Sequence, residues 1–375
     1  MAWIAYWSSK NTVGKSDSTM LLADSVVQSA NDSLVVKVAF TGDIMGHDPI
    51  IQSAFDKVSK NYDYTPIFRH VAPYFRTCNL VIGNLELTLG GAPYSGYPQF
   101  SSPDQLAFDL HRSGYNLLLT ANNHAYDRGK KGMERTLSVL DSIGMMHTGT
   151  FRDTAERERL YPFLWQHQHF RLAILNYTYD TNGIRVHPPN VVNLIDTAQI
   201  RIDLAKARHL QADFILVIFH WGNQYEQYEN KEQRSLAQFC INLGADAILG
   251  AHPHVVQPFD YLTPQSDTLK KVPVFFSVGN FISNQRTLYR DSGIIAELTL
   301  VKKGNRTHIQ QVGYHLTWVH KQQPPKIGYT IIPIRKGEAG MSALGLTRAD
   351  WMQMMLNASH IRKQLHNVSE LPWDF

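Results

Sequence analysis

The stretch YNLLLTANNHAYDRGKKGMERTL, residues 115–137, joins an apolar run of strand length to a segment with helical spacing. Apolar residues recur at steps of three and four after the loop, and Gly144 is placed to end that helix. Asn122, Asn123 and His124 therefore lie at the carboxyl end of a predicted strand. Open α/β sheets bind their ligands at that edge. The stretch predicts a strand–helix unit with a polar cluster where the strand ends.

Buried strands and amphipathic helices alternate on both sides of this stretch. Apolar runs of strand length are LVVKVAF, NLVIGN, RLAILNYTY, DFILVIFH, DAILGA and VPVFFSV. Helical spacing is found in PIIQSAFDKVSK, DTAQIRIDLAKARHL and KEQRSLAQFCINLG, and Asp196 is placed as the N-cap of the second. Near-continuous apolar strands alternating with such helices indicate an α/β domain with largely parallel, buried sheets.

The pattern of polar and apolar residues changes at two points, which divide the sequence into three parts. Residues 1–33 are polar and rich in Ser, Asp and Asn after a short apolar patch, and residues 34–293 hold the alternating strands and helices. Residues 294–375 contain strands with partial alternation and a final helix from Arg348 to about His366. We expect this last part to complete or flank the same domain.

The N-terminal apolar patch, in MAWIAYWSSK, is too short for a transmembrane helix or a full signal sequence. Trp3, Tyr6 and Trp7 beside Lys10 are typical of the interfacial belt of a membrane protein. We therefore interpret residues 1–33 as the remnant of a membrane anchor or signal, which implies a place at the cell envelope. The alternative is a disordered N-terminus on a cytoplasmic protein.

The composition excludes some classes of function. The 375 residues are 43% hydrophobic and carry a formal net charge of +4, with Lys and Arg scattered along the chain. A basic stripe with interleaved aromatic residues is missing from the sequence, so we expect no nucleic-acid partner. Cys78 and Cys240 are far apart in apolar surroundings and are expected to be buried free thiols, not a disulfide or zinc ligands.

Polar side chains follow the predicted strands of the α/β part. The residues at these strand ends are Asp43, His47, Asp48, Asn84, Glu86, Asn123, His124, His220, His252, His254 and Asn280. Carboxylate, amide and imidazole groups together suit Mn, Fe, Zn or a similar divalent ion. Two such ions ~3.5–4 Å apart can activate a water molecule and neutralise an oxyanion in a displacement at phosphorus. Each motif alone is also explained by a turn or a buried histidine, but their recurrence at successive strand ends favours a site for one or two metal ions.

The order of these motifs resembles a known family. GDIM, NLE, ANNHAYDRGKKG, HWG, GAHPHVVQ and SVGNF, within residues 35–281, together resemble the poly-γ-glutamate capsule-synthesis family, the CapA family. That family is similar to the calcineurin-like metallophosphoesterases. The resemblance implies a four-layer α-β-β-α fold of two mixed sheets, with a β-rich C-terminal extension and a metal site at the carboxyl edge of the sheets.

The resemblance also implies a role for each matching residue. Asp43 would supply the first metal carboxylate, and Glu86 a bridging or second carboxylate. The other implied metal ligands are Asn123, His220, His252 and His254. His124 would protonate the leaving group or steady the oxyanion, and Asp127 would orient the loop that carries it. Hydrogen-bonded support of the ligands would come from Asn84, Asp127 and Asn280.

The sequence departs from the resembled pattern at two positions. Metallophosphoesterases generally place a histidine ligand two residues after the first carboxylate, where this chain has Met45. One metal site is then weaker, filled by His47, or absent. The family also tends to carry a glutamate two residues after the glycine of HWG, where this chain has Gln224, with Glu226 further on. Both departures bear on whether two-metal hydrolysis is retained.

The function implied is that of a metal-dependent hydrolase in capsule or poly-γ-glutamate synthesis at the bacterial cell envelope. A metal-bound hydroxide would attack a phosphoester or, as an alternative, an amide of an acidic polymer. Its partners would be an anionic polymer or phosphoester substrate and membrane-bound polymer synthase subunits. A second hypothesis is a non-catalytic accessory subunit of a polymer synthase with a structural metal. A third is a cytoplasmic phosphoesterase unrelated to the envelope.

Overall fold

The computed structural model describes residues 33–322, 328–335 and 344–373. The predicted anchor remnant therefore lies outside the described residues, apart from Ser33. Among the described residues, no helix combines the length and the apolar character needed to span a bilayer.

Strands and helices alternate as the sequence predicts, with additional short elements between them. The strands are β1 (Ser33–Ile44), β2 (Phe55–Asp56), β3 (Asn61–Tyr62), β4 (Leu80–Leu85), β5 (Leu117–Leu119), β6 (Met146–Thr148), β7 (Thr150–Phe151), β8 (Phe163–His167), β9 (Phe170–Thr178), β10 (Val191–Val192), β11 (Phe214–His220), β12 (Ala247–Ala251), β13 (Phe259–Leu262), β14 (Val272–Phe275), β15 (Asn280–Ile282), β16 (Ser292–Lys303), β17 (Arg306–Gln322), β18 (Gly328–Pro333) and β19 (Ser369–Glu370). The helices are α1 (Asp48–Ala54), α2 (Thr65–Phe68), α3 (Ala72–Phe75), α4 (Gln105–Ser113), α5 (Gly129–Ser142), α6 (Thr154–Leu160), α7 (Thr197–His209), α8 (Lys231–Asn242) and α9 (Arg348–Gln364).

Two mixed sheets carry the architecture. The larger has the order β18-β17-β16-β1-β4-β5-β6, with β15 paired to β1 and β19 to β17. The smaller has the order β13-β14-β12-β11-β9-β8. The largely parallel pairing predicted for residues 34–293 is found along β1-β4-β5-β6 and along β9-β11-β12-β14. In the C-terminal part, β16 pairs antiparallel with β1 and with β17, and β17 pairs antiparallel with β18. Residues 304 and 305 alone separate β16 from β17, and a parallel pairing of these two strands would need a long crossover.

The two sheets pack face to face with helices on their outer faces. One apolar cluster fills the space between the sheets with residues from β1, β4, β9, β11 and β16. A second covers the outer face of the larger sheet with α1 to α4, and a third covers the smaller sheet with α7 and α8. Helix α9 packs on the inner face of the C-terminal strands. The four-layer arrangement predicted from the resemblance is confirmed, including its β-rich C-terminal extension.

Local signals account for where the helices begin and end. Asp196 caps α7 as predicted, since its Oδ1 accepts from the backbone N–H of Ala198 at 2.8 Å. The helix predicted in PIIQSAFDKVSK is too long, because α1 ends at Ala54 and a two-stranded ribbon of β2 and β3 follows. The Asp56 side chain accepts from the N–H of Val58 at 2.8 Å. Such a local bond competes with the helical pattern and favours a turn.

The two cysteines give a testable consequence of the packing. Cys240 is buried under α8, Cys78 is partly exposed, and both are free thiols. Burial raises the pKa of Cys240 to about 12 and that of Cys78 to about 11. Because the thiolate is the reactive form, we expect labelling by iodoacetamide at neutral pH to be slow at both positions and slowest at Cys240. Urea should bring both rates to that of a free thiol, and rapid labelling of Cys240 in the folded protein would contradict the packing of α8.

Candidate metal centre

Asp43 lies at the end of β1, where two neighbouring strands meet it. It is in register with Asn84 of β4 on one side and with Asn280 of β15 on the other, and the pairing is irregular at this point. Such an irregularity changes the direction of a side chain. Asn84 Nδ2 donates to the buried Asp43 Oδ1 at 2.7 Å. Gly42 permits the close approach of the Gly279 backbone, because a Cβ at position 42 would clash with the Gly279 carbonyl oxygen. That carbonyl accepts from the backbone N–H of Asp43 at 3.2 Å.

The His-Pro-His segment after β12 has an unusual backbone. His252 and His254 adopt φ values of 100° and 60°, and among the described non-glycine residues only six others have positive φ, including Asn182 and Tyr225 nearby. Positive φ is unfavourable for L-residues and persists only where the surrounding structure enforces it. Residues with such strained backbones cluster at functional sites. Here the backbone N–H of His252 and the Nδ1 of His254 both face Asp43 Oδ2, at 3.3 and 3.0 Å.

Glu86 is common to two groups of possible metal ligands. One group is Glu86, His220 and His252, and the other is Asp43, Glu86 and His254; within each, the ligand atoms lie within 4.8 Å of one another. Glu86 Oε1 is 3.5 Å from His220 Nε2 and 3.8 Å from His254 Nε2. Glu86 is fully buried, and neither of its carboxylate oxygens accepts a hydrogen bond from the described residues. A buried carboxylate without a donor is costly unless a cation neutralises it, so these residues fit one or two divalent ions.

Asn123 extends the first of these groups through its contact with His220. His220, the last residue of β11, has its Nε2 2.7 Å from Asn123 Oδ1 and 3.1 Å from His252 Nδ1. The other ring nitrogen, Nδ1, lies 3.1 Å from Asn84 Nδ2. The structure thus brings together all six residues that the sequence proposes as ligands, including an amide oxygen that could serve as a fourth donor to one ion.

Burial and the neighbouring charges together explain the direction of each pKa shift in the centre. Burial lowers the pKa of His220 to about 3 and that of His252 to about 2, so both imidazoles are neutral and can offer a lone pair at neutral pH. Burial alone would raise the pKa of Asp43, but the hydrogen bond and charge of His254 lower it to about 2. Burial and the neighbouring Asp43 raise the pKa of Glu86 well above its ordinary value. The pKa of His254 rises to about 9 despite burial, because it faces both carboxylates.

His124 lies beside the ligand groups and is held by Asp127. Its Nδ1 is 2.7 Å from Asp127 Oδ2, an oxygen that also accepts from the backbone N–H of Phe100 at 2.7 Å. The Phe100 ring packs edge-on against the imidazole, with centroids 4.6 Å apart. Among the described residues, Nε2 of His124 has no hydrogen-bond partner. Asp127 thus holds the imidazole through Nδ1, and Nε2 is left without a hydrogen-bond partner among the described residues.

The residues at the two departures from the family pattern lie outside the donor groups. Met45 is buried in the apolar cluster between the larger sheet and its helices. His47 caps the start of α1, and its Nδ1 accepts from the backbone N–H of Asn284 at 3.3 Å. Within the described part of the chain it belongs to neither ligand group. Gln224 and Glu226 are both exposed.

Sequence reasoning missed several residues around the centre. Three exposed tyrosines each pack against a different histidine, namely Tyr97 against His124, Tyr179 against His252 and Tyr225 against His254, with ring centroids 6.4, 4.5 and 5.9 Å apart. Asn182 was also missed, although its Oδ1 accepts from Asn123 Nδ2 at 3.0 Å. Single tyrosines and asparagines in loops form no periodic pattern, so no sequence signal distinguishes them.

The fold and the site together define a class: a four-layer α/β protein with a buried candidate centre for divalent cations at one edge of its two sheets. The chain belongs to the family described as "Bacterial capsule synthesis protein PGA_cap", whose model matches residues 37–285. The resemblance predicted from the motifs is confirmed.

Two relatives from Bacillus are each less than 30% identical to this chain. The PGA biosynthesis protein CapA of Bacillus subtilis is 28% identical over 295 residues, which cover 75% of this chain and 72% of that protein. The capsule biosynthesis protein CapA of Bacillus anthracis is 27% identical, with 64% of this chain and 59% of that protein covered. Among solved structures, the calcineurin-like phosphoesterase YfkN from Bacillus subtilis matches with a TM-score of 0.48 and 11% identity, over 88% of this chain and all of that one.

Proposed function

We propose that the chain is a metal-dependent hydrolase that cleaves a phosphoester during capsule or poly-γ-glutamate synthesis. The observation that carries this proposal is Glu86, which belongs to both ligand groups. It is a buried carboxylate whose two oxygens accept no hydrogen bond from the part of the chain that the structure describes. A carboxylate in that position suits two neighbouring cations. The family membership supports the biological setting, since the Bacillus relatives are named for capsule and PGA biosynthesis.

The residues of the chain divide the work. Ligands would come from Asp43, Glu86, Asn123, His220, His252 and His254. Bound divalent ions would act as Lewis acids that lower the pKa of a water molecule and neutralise developing negative charge. His124, whose Nδ1 is held by Asp127, would face the substrate with Nε2 and give a proton to the leaving oxygen or a hydrogen bond to the oxyanion.

We place this activity at the cell envelope, with an anionic polymer or a phosphoester as substrate. Membrane-bound subunits of a polymer synthase are the partners we propose. Support comes from the names of the relatives and from the Trp- and Tyr-containing patch within residues 1–33.

A second candidate function is that of an accessory subunit whose metal ions only stabilise the fold. The observation that favours it is burial: the six proposed ligands are at most 2% exposed. Structural metal sites are closed, whereas catalytic sites keep a position for substrate or water. Met45, which packs in the core, also stands where metallophosphoesterases generally place a histidine ligand, so one donor of that pattern is missing.

Metal analysis combined with two assays separates the candidates. We expect the purified full chain to hold one or two Mn, Fe or Zn ions per molecule and to hydrolyse bis-p-nitrophenyl phosphate, with activity lost on chelation and restored by metal. An amide hydrolase would instead cleave γ-glutamyl-p-nitroanilide. Bound metal that raises the melting temperature without turnover of either compound would exclude the hydrolase and support the accessory subunit.

A further inference from the structure

Arg290 lies at the rim of the candidate metal centre and is used by none of the roles assigned above. Its guanidinium carbon is 3.3 Å from the centroid of the Tyr225 ring, and that ring centroid is 5.9 Å from the one of His254. The two distances together place the guanidinium within about 9 Å of the His254 ring. The guanidinium is therefore close enough to the ligands to contact the part of a substrate that is adjacent to the group bound at the metal centre.

The backbone of Arg290 is tied to the same ligand from a second direction. Its carbonyl oxygen accepts from Asn280 Nδ2 at 2.8 Å, and Asn280 Oδ1 lies 3.0 Å from His254 Nδ1. The preceding residue, Tyr289, has a φ of 72°, and its N–H donates to the buried Asn357 of α9 at 3.0 Å. Arg290 is thus placed by contacts to a ligand-supporting residue and to a helix, not by a free loop.

The guanidinium has no anionic partner among the described residues. Two other arginines with little exposure have carboxylate partners: Arg157 with Asp203 at 2.6 Å and Arg286 with Asp291 at 3.3 Å. The partly buried Arg128 instead donates to neutral oxygens, the Pro93 carbonyl and Ser95 Oγ. An arginine stacked on a ring is desolvated on one face and keeps its in-plane N–H groups free, and these match the two oxygens of a carboxylate or phosphate. Because this partly desolvated cation has no anion beside it among the described residues, an anionic group of a bound molecule would stabilise it.

We infer that Arg290 binds an anionic group of the substrate, a carboxylate or a phosphate oxygen pair, adjacent to the group held at the metal centre. This inference rests on the proposed function for the identity of the site and adds the class of molecule it takes: one with an anionic group beside the scissile bond. Tyr225 is the positioning residue for Arg290, because its ring supports the guanidinium.

The test measures binding, so that it does not depend on turnover. Isothermal titration of metal-loaded protein with inorganic phosphate and, separately, with γ-glutamylglutamate would be compared for wild type, Arg290→Met and Arg290→Lys. Met keeps the contact with the Tyr225 ring without the charge, and Lys keeps the charge without the fork of donors. The matched control is Arg201→Met, since Arg201 also lies over a ring, that of Phe239 at 5.1 Å, but on α7 outside the smaller sheet. Metal content and the melting temperature establish that each variant is folded and loaded.

We expect Arg290→Met to weaken the affinity for one of the two probes by ~10–100-fold, the usual effect of losing charge-assisted hydrogen bonds, with metal content unchanged. Arg290→Lys should lie between Met and wild type. If only the affinity for inorganic phosphate falls, the group bound by Arg290 is a phosphate. If only the affinity for γ-glutamylglutamate falls, that group is a carboxylate. Wild-type affinity for both probes in Arg290→Met, or an equal loss in Arg201→Met, would overturn the inference. Arg290-dependent binding in a protein without any hydrolysis would keep the anion site and refute only the hydrolase.

Discussion

His124→Ala is expected to lower the turnover of bis-p-nitrophenyl phosphate by ~10²–10⁴ while the metal content stays that of the wild type. The imidazole is outside both ligand groups, so its removal takes away no metal donor. It does remove the ring whose Nδ1 is held 2.7 Å from Asp127 and whose Nε2 has no partner among the described residues. The measurement is kcat at saturating metal, with metal content determined on the same sample.

Two further variants give this experiment its reference points. His147→Ala removes another imidazole paired with an aspartate, 2.9 Å from Asp141, on the edge strand β6 of the larger sheet. It lies outside both ligand groups and should leave turnover unchanged. His252→Ala removes a ligand and should lose both metal and activity. Full turnover in His124→Ala would end the catalytic role of this residue. If capsule-related function in cells also persisted, the accessory-subunit function would be the better explanation.

Glu86→Gln is expected to change stability in opposite directions with and without metal. In metal-free protein the variant removes a fully buried carboxylate that accepts no hydrogen bond from the described residues, and the new amide can donate to the nearby Asp43. We expect a gain of about 1–3 kcal/mol in the free energy of unfolding, the usual cost of such an unsatisfied group. With metal at 100 times its dissociation constant, wild type should gain about 2.7 kcal/mol per ion and the variant much less.

Glu297→Gln is the matched control for Glu86→Gln. Glu297 is also a buried carboxylate, but Tyr74 donates to its Oε2 at 2.7 Å and His315 Nε2 lies 3.3 Å from the same oxygen. Its replacement should destabilise the protein by about 1–3 kcal/mol, because hydrogen bonds to a charged acceptor are lost. The response to metal should match that of wild type. Urea denaturation measures the free energy of unfolding of each variant with metal and with chelator, and the same two measurements on wild type are the reference. Equal metal stabilisation of wild type and Glu86→Gln would show that Glu86 is not a ligand.

The sequence by itself determined the order of the main strands and helices and the placement of the donor residues at strand ends. Both depend on local physics. Apolar periodicity distinguishes strand from helix, and a residue such as Asp196 caps a helix through bonds to N–H groups two and three residues away. Apolar spacing alone does not give the length of a helix. The spacing continues beyond Ala54, but α1 ends there and a turn at Asp56 follows. The motif order was also sufficient to indicate the family, since it needs no knowledge of distances.

Only the tertiary structure decided which of these residues meet. Asp43 and His254 are 211 positions apart, and they lie 3.0 Å from each other because β1 and β12 belong to different sheets packed face to face. Sharing of Glu86 between two ligand groups depends on that packing, and so do the tyrosines against the histidines and Arg290 over Tyr225. Such contacts are set by the closure of long loops and by the burial of the sheet faces. Neither leaves a periodic mark on the chain, because the residues involved are not neighbours on any one strand or helix.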